Sequence, residues 1–182
     1  MESCFISIMG AGFESVILML NFALSKMKTM ENSKKAGRYQ RIITQLEGLL
    51  TKTNDINSRM ATISAVLHNK MEGFFWTGFY FLTDGELIVR LYQGPVACQI
   101  LKKDTGVCWA GINQQKTIVV ANVHDFPDHI TCDSRSHSEI VIPVRDKSAA
   151  IVGVLDIDSK ELSTFDETDQ LYLEKIVGMI YV

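Results

Sequence analysis

Only four cysteines occur in 182 residues, and no two of them form a C-x-x-C pair. A disulfide-stapled mini-protein and a zinc ribbon or finger are therefore excluded. There is no basic stripe with interleaved aromatics, and the net charge is −3, so nucleic acid is not an expected partner. The densest basic stretch, Lys34, Lys35, Arg38 and Arg41, is mixed with polar residues and reads as a solvated helix face. No apolar run approaches the roughly 20 residues that span a bilayer, and stable membrane insertion is not expected. The apolar stretch VILMLNFAL, residues 16–24, follows Glu2 rather than a basic segment, and Lys26 and Lys28 come after it. It fits neither a secretory nor a mitochondrial leader. Residues 1–30 read as an extension outside the domain, with a membrane-touching anchor and read-through of upstream sequence as competing uses. Without an export signal the expected compartment is the cytoplasm, where thiols stay reduced and disulfides are transient and catalytic. A phosphate-binding G-x-G-x-x-G, a βαβαβ alternation, an internal repeat and a second domain are all missing.

What is present is a soluble globular composition, 47% apolar and 21% charged, in one domain over residues 31–182. From Asn32 apolar residues recur at three- and four-residue steps: Tyr39, Ile42, Ile43, Leu46, Leu49 and Leu50. Asn54 or Asp55 offers an N-cap to a second stripe of Ile56, Met60, Ile63, Val66 and Leu67. The period then changes. FFWTGFYFL and ELIVRLYQG flank the hairpin signal Asp84-Gly85. A short helix flanked by Gly106 and Gly111, the strand KTIVVANV, a long loop around Pro127, and the strands SEIVIPVRD and AAIVGVLDIDS follow. A last helix is expected to begin with a T-x-x-E capping box at Thr164 and Glu167, burying Leu171, Leu173, Ile176, Val177 and Ile180. The order predicts an α/β sandwich with a mostly antiparallel central sheet of about six strands flanked by helices.

Three groups of residues could carry chemistry. Cys132 sits in the polar loop HDFPDHITCDSRSHSEIVIP, where a thiol is accessible; a core cysteine usually sits in an apolar run, as Cys98 and Cys108 do. Asp156 and Asp158 alternate in a strand and share one face, so one carboxyl pKa is pushed upward if that face is buried. Turn capping and backbone hydrogen bonding are the bland alternatives. Trp76 and Tyr80, four apart in a strand, also share a face; they could wall an apolar pocket or simply pack. His124, His129 and His137 with Cys132 fit no standard zinc spacing. Cys4 has no assigned role.

The segments FFWTGFYFL, YQGPVACQI, GVCWAG, HDFPDHITCDSRSHSEIVIPV and GVLDIDS…FDETD, in this order, resemble the free methionine-(R)-sulfoxide reductases, single-domain GAF proteins. The resemblance covers the chain from about Ala36 onward. It implies reduction of free L-methionine-(R)-S-oxide to L-methionine, with Cys132 as nucleophile and Cys98 and Cys108 as candidate resolving thiols. A disulfide between Cys132 and one of the two is implied, without saying which. It implies that Glu139, Asp156 and Asp158 surround the substrate's amino group and sulfoxide oxygen, with Trp76 and Tyr80 as pocket walls. Thioredoxin as reductant, a homodimer, and no metal, flavin or nicotinamide cofactor belong to the same expectation. The competing functions are a non-enzymatic GAF sensor of small molecules and a redox sensor without turnover.

Overall fold

The computed structural model describes residues 5–129 and 132–181; Cys4 lies outside the described residues. The helix α1, Phe5–Leu50, begins in one compact unit, Met1–Gly37, and ends in a second, Arg38–Val182. In the first unit, helical side chains such as Leu18, Phe22 and Leu24 stand exposed.

The second unit continues with α2 (Ile56–Lys70), β1 (Trp76–Thr83), β2 (Glu86–Gln93), β3 (Ile100–Leu101), α3 (Gly106–Gln114) and β4 (Ile118–Val120). A 3-10 turn at Val123–Asp125, β5 (Ser138–Arg145), β6 (Ile151–Ser159) and α4 (Glu167–Gly178) complete it. The six strands form one sheet in the order β3-β2-β1-β6-β5-β4, and each pairing is antiparallel. The expected α/β sandwich is present. Asp84 and Gly85 both take positive φ in the β1–β2 turn, where an L-residue with a short polar side chain and a glycine meet least strain. Asp55 is the N-cap of α2, and its side chain accepts from the Ser58 amide at 2.7 Å.

Strand alternation sorts the apolar residues into two layers. Phe79, Ile140, Ile142, Leu155 and Ile157 face the helices, against Tyr39, Ile42 and Leu46 of α1, Ile63 and Leu67 of α2, and Leu173 and Ile176 of α4. Each such side chain contributes about 1.5–3 kcal/mol by leaving water. Across that layer the buried Tyr39 hydroxyl donates to Asp169 at 2.7 Å, and its ring stacks on Tyr172 at 5.2 Å. The opposite face carries Trp76, Tyr80, Leu87, Val141 and Val154 under α3 and the long loops.

Local expectations fail at four points. The α4 capping box is Asp166 with Asp169, two residues beyond the expected Thr164 and Glu167. Thr164 instead donates its hydroxyl to Ser159 at 2.8 Å. Leu171 is exposed on α4, and Leu49 on α1, because each points away from the sheet. Gly111 lies inside α3 rather than beside it; its Cα packs so close to Val141 that a Cβ would come within 2.9 Å of that side chain.

Candidate functional site

The face opposite the long helices ends in a cavity of about 590 Å³ including its open mouth. Register builds its floor. Asp158 of β6 lies directly between Trp76 of β1 and Glu139 of β5, and Asp156 lies between Gly78 and Val141. Three carboxyl groups thus converge on one apolar face. Gly78 leaves room there: a Cβ would strike the Trp76 ring and the Tyr92 Cβ. Gly78 was not among the sequence candidates. Its only signal is a glycine inside an aromatic strand, which marks close approach.

Trp76 stacks between Tyr80, at 5.8 Å, and Tyr92, at 5.3 Å. Its indole N–H donates to the Pro95 carbonyl at 3.2 Å, and the Tyr80 hydroxyl donates to the Cys98 carbonyl at 3.1 Å. The two aromatics wall the cavity and also pin the backbone on which Cys98 rides. Across the mouth Cys98 is joined to Cys132 by a disulfide, with Cα atoms 5.6 Å apart. Cys98 is half-buried and Cys132 exposed, whereas Cys108, the free thiol on α3, is buried. All three line the cavity or its rim, together with His129, Asp133 and Ser136, which sequence reasoning did not select.

The loop after Cys132 is tied down on both sides. The Asp133 carboxylate accepts from the Arg135 amide and Nε, both at 2.9 Å, and pairs with Nη2 at 2.6 Å. Those Arg135 bonds hold the Asp133 pKa down to about 2. Arg135 and Lys160 lie over the Phe75 ring at 4.9 and 4.4 Å. The His137 amide donates to the Ser159 carbonyl at 2.7 Å. His124 packs edge-on against His129 and His137, with ring centroids 6.5 and 5.7 Å away.

Burial raises the carboxyl pKa values. Asp156 rises to about 7 by burial, opposed by hydrogen bonds from Cys108 and Glu139. Glu139 is pushed well above its ordinary value by burial and by the charges of Asp156 and Asp158. Asp158, half-buried where it meets the cavity, rises through lost solvation and the Asp156 charge. Burial first, then Asp156, raises the Cys108 thiol, which stays protonated. One Asp156 oxygen, Oδ1, is buried without a hydrogen-bond partner. The Cys108 sulfur and oxygens of Glu139 and Asp156 lie within 4.8 Å of one another, close enough to share one cation, whether an ammonium group or a metal ion. The site therefore pairs a disulfide at its mouth with a buried acid cluster that can bind a cation and keep a proton.

These shifts set a stability signature. A carboxyl group raised in the native state keeps protons that the unfolded chain releases above about pH 4. Its contribution is complete below pH 4 and is lost as pH rises toward the native value. The melting temperature of the oxidised protein is thus expected to fall between pH 4 and 7, with Asp156 alone worth on the order of 4 kcal/mol. Asp133, shifted the other way, acts below that window. Thermal denaturation against pH checks this, and Asp156→Asn is expected to flatten the slope; an unchanged slope would count against the buried cluster.

No family model matches the chain. GAF domain-containing protein A of Dictyostelium discoideum is 43% identical over 147 residues, 80% of this chain and 92% of that protein. Free methionine-R-sulfoxide reductase of Escherichia coli K12 is 32% identical over 142 residues, 78% of this chain and 86% of that protein. The X-ray structure of free methionine-R-sulfoxide reductase from Neisseria meningitidis in complex with its substrate is 38% identical, with a TM-score of 0.76, covering 80% of this chain and 87% of that one.

Proposed function

The chain belongs to the free methionine-(R)-sulfoxide reductase family, and from that membership we propose that it reduces free L-methionine-(R)-S-oxide to L-methionine. The observation that carries the reading is the Cys98–Cys132 disulfide at the mouth of a cavity floored by Glu139, Asp156 and Asp158. In the reduced protein the Cys132 thiolate attacks the sulfoxide sulfur. The oxygen, protonated by the acid cluster, passes to Cys132 as a sulfenic acid, and methionine leaves. The Cys98 thiol then attacks the Cys132 sulfur, water departs and the disulfide forms. Two thiols are oxidised for each sulfoxide reduced. Thioredoxin returns them to thiols, the working form is a homodimer, and the compartment is the cytoplasm.

The acid cluster divides two tasks. Asp156, near pH 7 already partly ionised, pairs with the substrate ammonium through its unpartnered oxygen. Glu139 and Asp158, both pushed upward by burial and by the neighbouring carboxylates, favour the protonated form and serve the departing oxygen. Trp76 and Tyr80 line the apolar wall for the substrate's methyl and methylene groups. Cys108, buried and protonated, fits a hydrogen-bond donor to Asp156 better than a resolving thiol.

The test is methionine release from the separate R and S epimers of free methionine sulfoxide, with dithiothreitol as reductant. Release from the R epimer alone is expected. Release from neither, with the thiols reduced and the protein folded, would refute the reading.

A further inference from the structure

The helix α1 carries a surface that the reductase chemistry does not use. Leu18, Met19, Leu20, Phe22, Leu24 and Met27 are each more than half exposed. At about 100° per residue they sweep an arc of roughly 240° around the helix, interrupted by Thr29 and by Lys26, whose long stem can carry its ammonium out of the arc, and leave a polar strip of Asn21, Ser25 and Lys28. A helix that packs on a protein surface needs an apolar stripe of only about 100°, and a two-stranded coiled coil a narrower seam still. A second copy or a protein groove would leave much of this arc in water. A lipid phase can cover all of it.

Charge points the same way. Between Glu14 and Glu31 the only charged residues are Lys26 and Lys28, both exposed at the C-terminal side of the apolar stretch. Cations at that edge meet anionic headgroups, while the flexible Lys stems lie along the apolar boundary. Among the described residues no helix is long and apolar enough to cross a membrane. Glu14 also interrupts the apolar sequence from Phe5 to Leu24, and a carboxylate there favours attachment at the interface over a span.

We propose that residues 18–30 dock on the surface of a lipid bilayer bearing anionic headgroups, with the apolar arc in the acyl boundary and Lys26 and Lys28 at headgroup level. The full chain thereby becomes a peripheral membrane protein. The proposal is independent of the activity of the second unit.

Flotation of the full-length chain with vesicles of phosphatidylcholine and phosphatidylserine tests it. The chain is expected to float, to float less with phosphatidylcholine alone, and to be released as salt screens the lysines. The double variant Leu20→Asp/Phe22→Asp is expected to float at least about tenfold less, with unchanged circular dichroism and unchanged methionine sulfoxide turnover. Should that variant misfold, Lys26→Glu/Lys28→Glu alters only exposed charges and is expected to weaken binding to the phosphatidylserine vesicles by about fivefold or more per lysine. Wild-type chain remaining at the bottom of the gradient would overturn the proposal, as would equal flotation of wild type and both variants. Wild-type chain that ignores vesicles but sediments as a discrete oligomer broken by Leu20→Asp/Phe22→Asp would assign the surface to a second copy instead.

Discussion

Cys132→Ser is expected to abolish methionine release from the R epimer, a loss of at least about a thousandfold, while the reduced protein keeps its melting temperature. The serine hydroxyl is a far weaker nucleophile than a thiolate. The fold is spared because Cys132 is exposed, on a loop, outside both buried clusters. That loop is held by Arg135 on Asp133 and Phe75 and by His137 on Ser159, none of which needs the sulfur. Cys98→Ser separates the second step from the first. Without reductant it is expected to release about one methionine per chain and then stop as the sulfenic acid, whereas Cys132→Ser releases none. Measuring methionine per chain in a single turnover, with trapping of the sulfenic acid, checks both. Activity surviving in Cys132→Ser but lost in Cys108→Ser would transfer the nucleophile to the buried thiol and overturn the assignment.

The parts of the site that follow from strand period were legible in the sequence. Asp156 and Asp158 share a face because they are two apart, and Trp76 and Tyr80 share one because they are four apart. Alternation could not reveal that Asp158 stands between Trp76 and Glu139, since pairing across β1, β6 and β5 joins residues far apart in the chain. The same limit applies to the disulfide. Spacing gives no distance between Cys132 and either Cys98 or Cys108, and only the fold puts Cys98 at the mouth and Cys108 on the buried face of α3. Where short-range signals compete, the fold selects between them. Thr164 and Asp166 are both good N-caps with an acid three residues on; extended backbone at Asp166 and the reach of Asp169 to its amide, at 2.9 Å, decide for the second. Gly111 looks like a helix boundary by composition, but Val141 requires a glycine there in mid-helix. The cluster's raised pKa values needed both the shared face and its burial, and burial comes from α3 and the loops that close over the sheet.

Glu139→Gln and Asp156→Asn are expected to damage the same reaction in different terms. Glutamine at 139 is isosteric and still donates a hydrogen bond, but it has no proton to transfer to the departing oxygen. The expected loss is in kcat, by about a hundredfold to ten-thousandfold, with KM little changed. Asparagine at 156 leaves the substrate ammonium without its counter-charge in a buried site, so KM is expected to rise by about tenfold or more. The pH profile distinguishes proton transfer from mere structure. Asp156 must be ionised to hold the ammonium, so activity falls as pH drops below about 7. Glu139 must be protonated, a form that burial and the neighbouring acids favour, and its ionisation as pH rises sets the alkaline limb. Glu139→Gln therefore loses the alkaline limb and Asp156→Asn the acidic one, in steady-state rates with the R epimer. A structural role for either residue would lower the amount of active protein without moving a limb. If Glu139→Gln kept full kcat, the proton would have to come from Asp158, the carboxyl group paired directly beside it in the sheet.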